Sequence, residues 1–242
     1  MTPAKTMPKR ISPETNSERI PPLQNGDRLS VEEFERRYTA MPHVNKADLI
    51  NGVVYMPSPV LNKAHATPHF DVIAWLGLYR IATPGVEGGD NATLRLQQRS
   101  SRPQPDVYLR ILPSYGGQSG DTPDGYVAGA PELLFEVAAT STNYDLNEKL
   151  ETYRENGVRE YVVWRVWDNA IDWFILRGDR YDRVATDATG VYRSDAFPGL
   201  WLDLNALVTR DMVRVANVLQ QGLASPEHAA FVAQLQARAP RS

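Results

Sequence analysis

The chain has 242 residues and a formal net charge of −3, with 42% hydrophobic and 23% charged residues. This balance is that of an ordinary globular protein, and no stretch approaches the roughly 20 consecutive apolar residues that a membrane span needs. There is no cysteine, which excludes disulfides, thiolate metal sites and a cysteine nucleophile; with no secretory signal predicted either, we expect a soluble cytoplasmic protein.

The first quarter of the chain predicts an arm, a helix and a hairpin. Residues 1–26 are rich in Pro, Ser, Thr and charge, which is typical of a disordered or loosely docked arm. Ser30 and Glu33 have the spacing of a capping box, so a helix is expected to begin there. Asn51-Gly52 lies between two apolar runs and predicts a hairpin over 48–55, because both residues tolerate positive φ.

The middle of the chain predicts one long helix, a second helix and three strands. The first helix is expected to be largely buried and to start at Thr67, with Pro68 at its first position. The glycine-rich stretch 113–130 predicts a long exposed loop. The remaining predicted elements are strands over 92–98, 105–111 and 132–138, and a helix over 145–156 that ends at Gly157.

The C-terminal part predicts three more strands and a helical tail. The strands cover 160–166, 170–176 and about 181–186, and the tail runs from Leu204 with a break at Ser225-Pro226. Helices and strands in this order predict an α/β (α+β) domain over 27–203, with a central mixed sheet flanked by helices and a helical extension over 204–242. We expect a homodimer; the apolar positions of the tail could form its interface or cover the core (Val213, Val215, Val218, Leu219, Phe231, Val232, Leu235).

Two carboxylates stand where the sequence otherwise predicts apolar strands. Asp106 follows Pro105 at the start of one strand, and Glu136 interrupts the apolar run of another. A buried carboxylate is normally paired or bound to a metal, because burying an isolated charge is unfavourable. Two such residues on adjacent strands can reach one Mg²⁺ ion, which is typically held by one or two carboxylates together with waters and substrate phosphates. Alternatively, Asp106 caps its own backbone at a strand start and Glu136 forms a structural ion pair.

Lys149 lies on the predicted helix that follows the Glu136 strand, and Tyr153 lies four residues further on the same face. A cation beside a metal–carboxylate cluster can stabilise the charge that develops when water attacks a phosphodiester. Taken alone, Lys149 is typical of a solvated helix position.

Six short motifs follow one another along the chain: Asp48-Leu49-Ile50-Asn51-Gly52, Met56-Pro57-Ser58-Pro59, Pro105-Asp106, Glu136-Val137, Lys149 with Tyr153, and Gly157-Val158-Arg159-Glu160-Tyr161. In this order and spacing they resemble the Uma family, a mostly bacterial group of putative restriction endonucleases that was long a domain of unknown function. The resemblance extends from about Ser30 to Leu200.

The resemblance implies the PD-(D/E)-x-K nuclease fold and a Mg²⁺-dependent endonuclease acting on DNA, with Mn²⁺ as a substitute ion. It implies that Asp106 and Glu136 are metal ligands and that Asp48 is a third acid, one methylene shorter than the usual glutamate. Ala138 occupies the strand position where related nucleases carry a lysine, so the resemblance assigns that role to Lys149 on the helix, supported by Tyr153.

Two other functions remain open. A non-catalytic module of the same fold is favoured by the net charge of −3, since nucleic-acid binding depends on phosphate neutralisation and here requires a local basic patch. A hydrolase acting on sugars through two carboxylates would retain activity in the presence of a chelator, which a metal-dependent nuclease would not.

Two further groups of residues have simpler explanations. His65 and His69 have a metal-ligand spacing, but with Pro68 between them we expect no shared regular turn and a surface or helix-start role for both. The aromatic residues of the C-terminal strands are predicted to belong to the core, because they have period-two spacing (Trp164, Trp167, Trp173, Phe174).

Overall fold

The computed structural model describes residues 20–56 and 61–240. Its helices are α1 Val31–Thr39, α2 Thr67–Ala82, α3 Thr142–Tyr144, α4 Leu150–Glu155, α5 Leu204–Thr209, α6 Met212–Leu223 and α7 Pro226–Arg238. Its strands are β1 Asp48–Ile50, β2 Val53–Tyr55, β3 Val86–Asp90, β4 Leu94–Arg95, β5 Val107–Ile111, β6 Gly120–Asp121, β7 Val127–Ala128, β8 Leu133–Ala138, β9 Glu160–Arg165, β10 Ala170–Arg177, β11 Arg180–Val184, β12 Val191–Arg193 and β13 Trp201–Asp203. Two π-helical turns, Asn62–Ala66 and Asp145–Lys149, lead into α2 and α4.

A six-stranded mixed sheet with the order β11-β10-β9-β8-β5-β3 forms the centre of the molecule. β8 and β9 are parallel, whereas the other neighbouring pairs are antiparallel. All residues of β5 and β8 are buried, as expected of central strands with both faces covered. The predicted fold class, a central mixed sheet flanked by helices, is confirmed.

The two faces of the sheet contribute to separate apolar cores. Val107 of β5 and Phe135 of β8 belong to the core beneath α2, where Trp75 contacts Phe135 edge-on at a ring distance of 6.3 Å. Tyr108 and Leu134, the next residues on these strands, belong to the opposite core, which Tyr153 of α4 also joins. Side chains of a strand alternate between faces, so odd-numbered residues of β5 and β8 face α2 and even-numbered residues face α4.

The first helix and the hairpin form as the sequence predicts. The Ser30 hydroxyl accepts a hydrogen bond from the Glu33 backbone N–H at 3.3 Å and caps α1. Asn51 and Gly52 have φ values of 55° and 73°, so β1 and β2 pair through the two-residue turn. At the C-terminal end, the Ser225 cap and Pro226 separate α6 from α7.

Several short elements differ from the prediction. The strand expected over 92–98 is reduced to β4, and the stretch 113–130, predicted as a loop, contains β6 and β7, which complete a three-stranded sheet with β4. The pair β12–β13 was not predicted. Strands of two or three residues are too short to show a period-two pattern, so they are decided by the partner strand.

The long helix and one aromatic residue are more exposed than predicted. Phe70 and Ile81 of α2 are 69% and 79% exposed, so only one side of this helix is buried. Trp164 and Trp173 lie in the core as predicted, but Trp167 is 63% exposed because it lies in the turn between β9 and β10. Alternation places side chains correctly only within the strands themselves.

Two predicted segments fall partly outside the described residues. The structure does not describe residues 1–19 of the predicted arm, nor Pro57-Ser58-Pro59 of the second motif. Leu23, near the end of the predicted arm, is buried against the hairpin, and the Gly26 N–H donates to the Val54 carbonyl at 2.8 Å. Across residues 20–56 and 61–240, no helix combines the length and apolar character needed to cross a membrane.

The helical tail mainly covers the core of the domain. Val215 and Leu219 of α6 and Leu235 of α7 are buried in the core beneath α2. Val213, in contrast, is 74% exposed. Val215, Leu219 and Leu235 therefore cover the core, which is one of the two roles predicted for the apolar residues of the tail.

Candidate active site

Asp106 and Glu136 face each other across two adjacent strands. The register pairs Val107 with Phe135, so the next position outward sets Asp106 opposite Glu136. Both residues are even-numbered and therefore lie on the face covered by α4. Asp106 is 3% exposed and Glu136 is 2% exposed. The sheet thus holds two buried carboxylates side by side, as the sequence analysis expected.

The Asp106 carboxylate is held in its ionised form by its neighbours. It accepts hydrogen bonds from Lys46 Nζ at 2.8 Å, His65 Nε2 at 3.1 Å and the Val137 backbone N–H at 2.8 Å. Burial raises the pKa of Asp106, but the hydrogen bond from His65 and the positive charge of Lys46 outweigh it and keep that pKa well below its ordinary value. Asp106 is therefore an anion at neutral pH.

Glu136 differs from Asp106 although the two are adjacent. It accepts hydrogen bonds from Lys149 Nζ at 2.8 Å and from the Tyr153 hydroxyl at 3.2 Å. Burial raises the pKa of Glu136 to about 8; the Lys149 charge opposes this rise, whereas the negative charges of Asp106 and Asp145 add to it. The surroundings therefore oppose ionisation of Glu136 more than that of Asp106, and an additional cation would favour its ionised form.

Lys149 is the central cation of the cluster. It is 3% exposed, and its Nζ lies 2.8 Å from Glu136, 3.3 Å from Asp145 and 3.7 Å from Asp48. Burial lowers the pKa of Lys149, but these three carboxylates more than reverse the effect and hold it well above its ordinary value. The π-helical turn Asp145–Lys149 brings Asp145 and Lys149, four residues apart, to the same side of the chain.

Asp48 reaches the cluster from the hairpin and is oriented by the backbone. Its Oδ1 accepts a hydrogen bond from the Gln104 N–H at 2.6 Å, and its Oδ2 lies 3.4 Å from the Tyr144 hydroxyl. The five residues singled out in the sequence therefore meet: Asp106 and Glu136 on the sheet, Lys149 and Tyr153 on the helical segment after β8, and Asp48 on β1.

Four further residues of the cluster were not assigned from the sequence: Lys46, His65, His69 and Asp145. Asp145 could have been found, because it precedes Lys149 by four residues, the spacing of neighbours on a helix. Lys46 precedes Asp48 by two residues, and in an extended segment two such side chains lie on the same side of the chain. Its contact with Asp106, 60 residues away, has no local signal.

The two histidines are closer together than their sequence predicted. Both lie near the start of α2 as expected, but they share one continuous helical segment and their rings are 5.6 Å apart. The wide π-helical turn before Thr67 places Pro68 in the first turn of α2. Proline has no backbone N–H to donate and is tolerated at this position of a helix. His65 contacts the Asp106 carboxylate, and His69 Nε2 lies 2.9 Å from the Asp106 carbonyl oxygen.

The cluster forms the base of a pocket of about 790 Å³. The charged side chains at its base are those of Lys46, Asp48, Asp106, Glu136, Asp145 and Lys149. The remainder of its wall includes the imidazoles of His65 and His69, the hydroxyls of Thr140 and Ser141, and aromatic, apolar or amide-bearing residues such as Val44, Asn45, Tyr55, Met56, Leu61 and Tyr144. Its volume lies within the range of about 300–1,000 Å³ that is typical of ligand pockets.

The oxygen atoms of this pocket fit a hard divalent cation such as the expected Mg²⁺. Four carboxylates face two lysines there, and burial, with the charges of Asp106 and Asp145 adding to it, raises the pKa of Glu136. In the part of the chain that the structure describes, no group of three His, Asp or Glu side chains is arranged to hold a metal ion. Mg²⁺ usually keeps several waters and is bound through one or two carboxylates, so Asp106 and Glu136 are the residues that would hold it.

The chain shares its fold, a central mixed sheet flanked by helices, with a solved structure described as that of a putative nuclease. Among solved structures it is similar to that of a putative nuclease belonging to DUF820 from Anabaena variabilis, with a TM-score of 0.55 and 11% sequence identity over 74% of this chain and 99% of that chain. The chain belongs to the Uma2 family, described as putative restriction endonuclease, whose sequence profile matches residues 31–205. Comparison with curated proteins finds no match.

Proposed function

We propose that this protein is a magnesium-dependent endonuclease that hydrolyses DNA phosphodiester bonds. The observation that carries the proposal is the cross-strand pair of Asp106 and Glu136, with Lys149 bonded to Glu136, at the base of one pocket. Membership of the family described as putative restriction endonuclease supports the reaction class. The choice of DNA rests on the same relationship, since a fold alone does not define a substrate.

The two carboxylates have different tasks in this proposal. Asp106 is ionised and fixed by three hydrogen bonds, so it is a preorganised ligand for the cation. The pKa of Glu136 is raised, so this carboxyl would have to release its proton in order to hold the cation. Asp48 assists from the hairpin, where the Gln104 N–H fixes its orientation. When bound, Mg²⁺ lowers the pKa of a coordinated water and polarises a phosphoryl oxygen.

Lys149 supplies the positive charge that the reaction requires. Its ammonium group is buried and charged, so it can hold the attacking water or stabilise the negative charge that develops on the phosphate. Burial raises the pKa of Tyr153 well above its ordinary value, so its hydroxyl stays protonated and donates a hydrogen bond to Glu136. This hydrogen bond helps to hold the Glu136 carboxylate, which Lys149 also contacts. Lys46 and His65 hold Asp106 in place.

Hydrolysis of circular DNA tests the proposal. Purified protein is incubated with supercoiled plasmid and with single-stranded circular DNA, in Mg²⁺, in Mn²⁺ and in chelator. We expect cuts with either metal, none with chelator, and none with Asp106→Asn, which preserves the size of the side chain but removes its charge. Asp124→Asn, on an exposed side chain, is the matched control and is expected to behave as wild type.

Three outcomes would contradict the proposal. Cutting that persists in Asp106→Asn, with folding verified by circular dichroism, would exclude the assigned site. Cutting that persists with chelator would exclude the metal. Binding of DNA without any cutting would favour the non-catalytic module, in which the same residues serve only to bind.

The homodimer and the cytoplasmic location remain predictions. Light scattering on the purified 27.1 kDa chain tests the first, and a monomer over the whole concentration range would contradict it. Fractionation of the host cell tests the second.

A further inference from the structure

One side of the pocket is aromatic and lies against the acidic cluster. The rings of Tyr55 and Tyr144 are 4.2 Å apart and tilted by 30°. Tyr144 also lies 5.2 Å from Lys149 Nζ, measured to the ring centre, and its hydroxyl lies 3.4 Å from Asp48. Tyr55, on β2, is partly exposed and lines the pocket beside this pair of contacts. A flat ring surface is thus joined directly to the residues proposed for hydrolysis.

The neighbouring wall is apolar, which the hydrolytic step does not require. Val44, Met56 and Leu61 line the same pocket, and Leu61 is 55% exposed. Asn45, an exposed residue, lines the same pocket. Stacking on an aromatic ring, apolar contact and an amide donor and acceptor are the features that bind an unstacked nucleic-acid base.

The charges of the pocket do not favour a DNA duplex. Among the described residues that line it, the lysines are Lys46 and Lys149, there is no arginine, and both lysines are bonded to carboxylates. Duplex binding draws its affinity largely from lysine and arginine contacts to many phosphates. A pocket in which every ammonium group is already paired offers little of that affinity.

The depth of the cluster also favours a flexible strand. Asp106, Glu136 and Lys149 are each at most 3% exposed, so a reacting phosphate must enter the pocket to reach them. Paired bases of a duplex are stacked inside it, so a base could reach the Tyr55–Tyr144 wall only after it is unpaired and extruded. An unpaired nucleotide already presents its base and its backbone together.

We propose that the pocket takes a nucleotide of single-stranded DNA, with its base against the Tyr55–Tyr144 wall and its phosphodiester directed toward Asp106 and Glu136. This inference rests on the proposed function, because it names the form of DNA on which that function acts. Tyr55 and Tyr144 are then binding residues for the base, with Tyr144 also tied to the acidic cluster through Asp48 and Lys149.

Binding and cutting of matched oligonucleotides test the inference. A short single strand carrying 2-aminopurine, and the same strand in a duplex, are titrated with protein in Ca²⁺ to measure binding without turnover, and in Mg²⁺ to measure cutting. We expect the single strand to bind at least about tenfold more tightly than the duplex, with the fluorescence of 2-aminopurine quenched by stacking. Tyr55→Ala should lose about tenfold or more of the affinity for the single strand, together with the quenching.

Two control variants separate stacking from loss of structure. Tyr55→Phe keeps the ring and should retain affinity and quenching. Tyr126→Ala removes a partly exposed ring that packs under Arg95 outside the pocket and should bind as wild type. Quenching in the wild-type protein is an independent readout if Tyr55→Ala unfolds, and its absence there would overturn the inference.

The outcomes distinguish this inference from the proposed function. If single strand and duplex are bound and cut equally, or if folded Tyr55→Ala matches wild type, the inference is wrong while hydrolysis stands. If the single strand is bound with quenching that depends on Tyr55 but no DNA is cut under any metal, hydrolysis is wrong and the base-binding pocket stands.

Discussion

Replacing Glu136 with glutamine removes a buried carboxyl group whose ionisation is opposed by its surroundings. Burial together with the charges of Asp106 and Asp145 outweighs the attraction of Lys149 and raises the pKa of Glu136 from 4.5 to about 8. The folded protein therefore binds a proton on Glu136 that the unfolded chain releases. The resulting stability is fully present below about pH 4.5 and is lost as the pH rises toward 8.

The size of the effect follows from that pKa. At about 1.4 kcal/mol per pKa unit, the full effect is on the order of 5 kcal/mol, and roughly 3–4 kcal/mol of it falls between pH 5 and pH 8. The glutamine side chain of the variant does not titrate, and Lys149 still has Asp145 at 3.3 Å and Asp48 at 3.7 Å. We therefore expect Glu136→Gln to gain about 3 kcal/mol in free energy of unfolding relative to wild type over this pH range.

Urea denaturation in chelator at several pH values between 5 and 8 measures the difference. Glu227→Gln, on the exposed first turn of α7, is the control and should follow wild type at every pH. Wild-type and Glu136→Gln curves that run parallel across the pH range would refute the assignment of the raised pKa. Added Mg²⁺ at pH 8 should stabilise wild type, by about 2.7 kcal/mol at one hundred times its dissociation constant, and stabilise Glu136→Gln much less.

Three other substitutions test the surrounding structure by the same measurement. Lys149→Met leaves the buried carboxylates without their central cation, so we expect a loss of about 3–5 kcal/mol at pH 7; unchanged stability would contradict the ion pairs. Glu160 accepts four hydrogen bonds, and in Glu160→Gln the amide NH₂ faces some of these donors. We expect a loss of about 2–4 kcal/mol in free energy of unfolding, whereas an unchanged value would show that the donors rearrange. Gly199→Ala puts a Cβ 2.7 Å from the Cβ of His228, at a φ of 88°, and should lose at least about 2 kcal/mol in free energy of unfolding. Gly190→Ala, whose Cβ meets nothing within 4 Å, should lose less, and equal losses would exclude the steric explanation.

Local patterns predicted the longer elements because those elements carry their own signals. The Asn51-Gly52 turn, the Ser30 cap and the Ser225-Pro226 break each depend on the conformational preferences of one or two residues. β8 is apolar at five of its six positions, as expected of a strand with both faces covered. Strands such as β6 and β7 have two residues each and exist only because a partner strand is present, so no local pattern reveals them.

The candidate site was predictable to the extent that its residues were out of place. Glu136 stood out because a carboxylate interrupted an apolar run, and Asp106 stood out beside Pro105 at a strand start. Their roles and that of Lys149 came from the resemblance, since a lysine on a helix is ordinarily solvated. The partners of Asp106 were not found, because Lys46 and His65 precede it by 60 and 41 residues.

The sequence by itself determined the strands and helices that carry the acids and the lysine, since side-chain alternation and helical spacing are local properties. Only the tertiary structure decided that β5 and β8 pair in the register that sets Asp106 opposite Glu136. It also decided which cation each carboxylate receives, and hence that Asp106 is ionised while the pKa of Glu136 is raised. The physical reason is that Coulomb interactions and burial depend on distances between segments far apart in the chain, and chain folding alone brings those segments together.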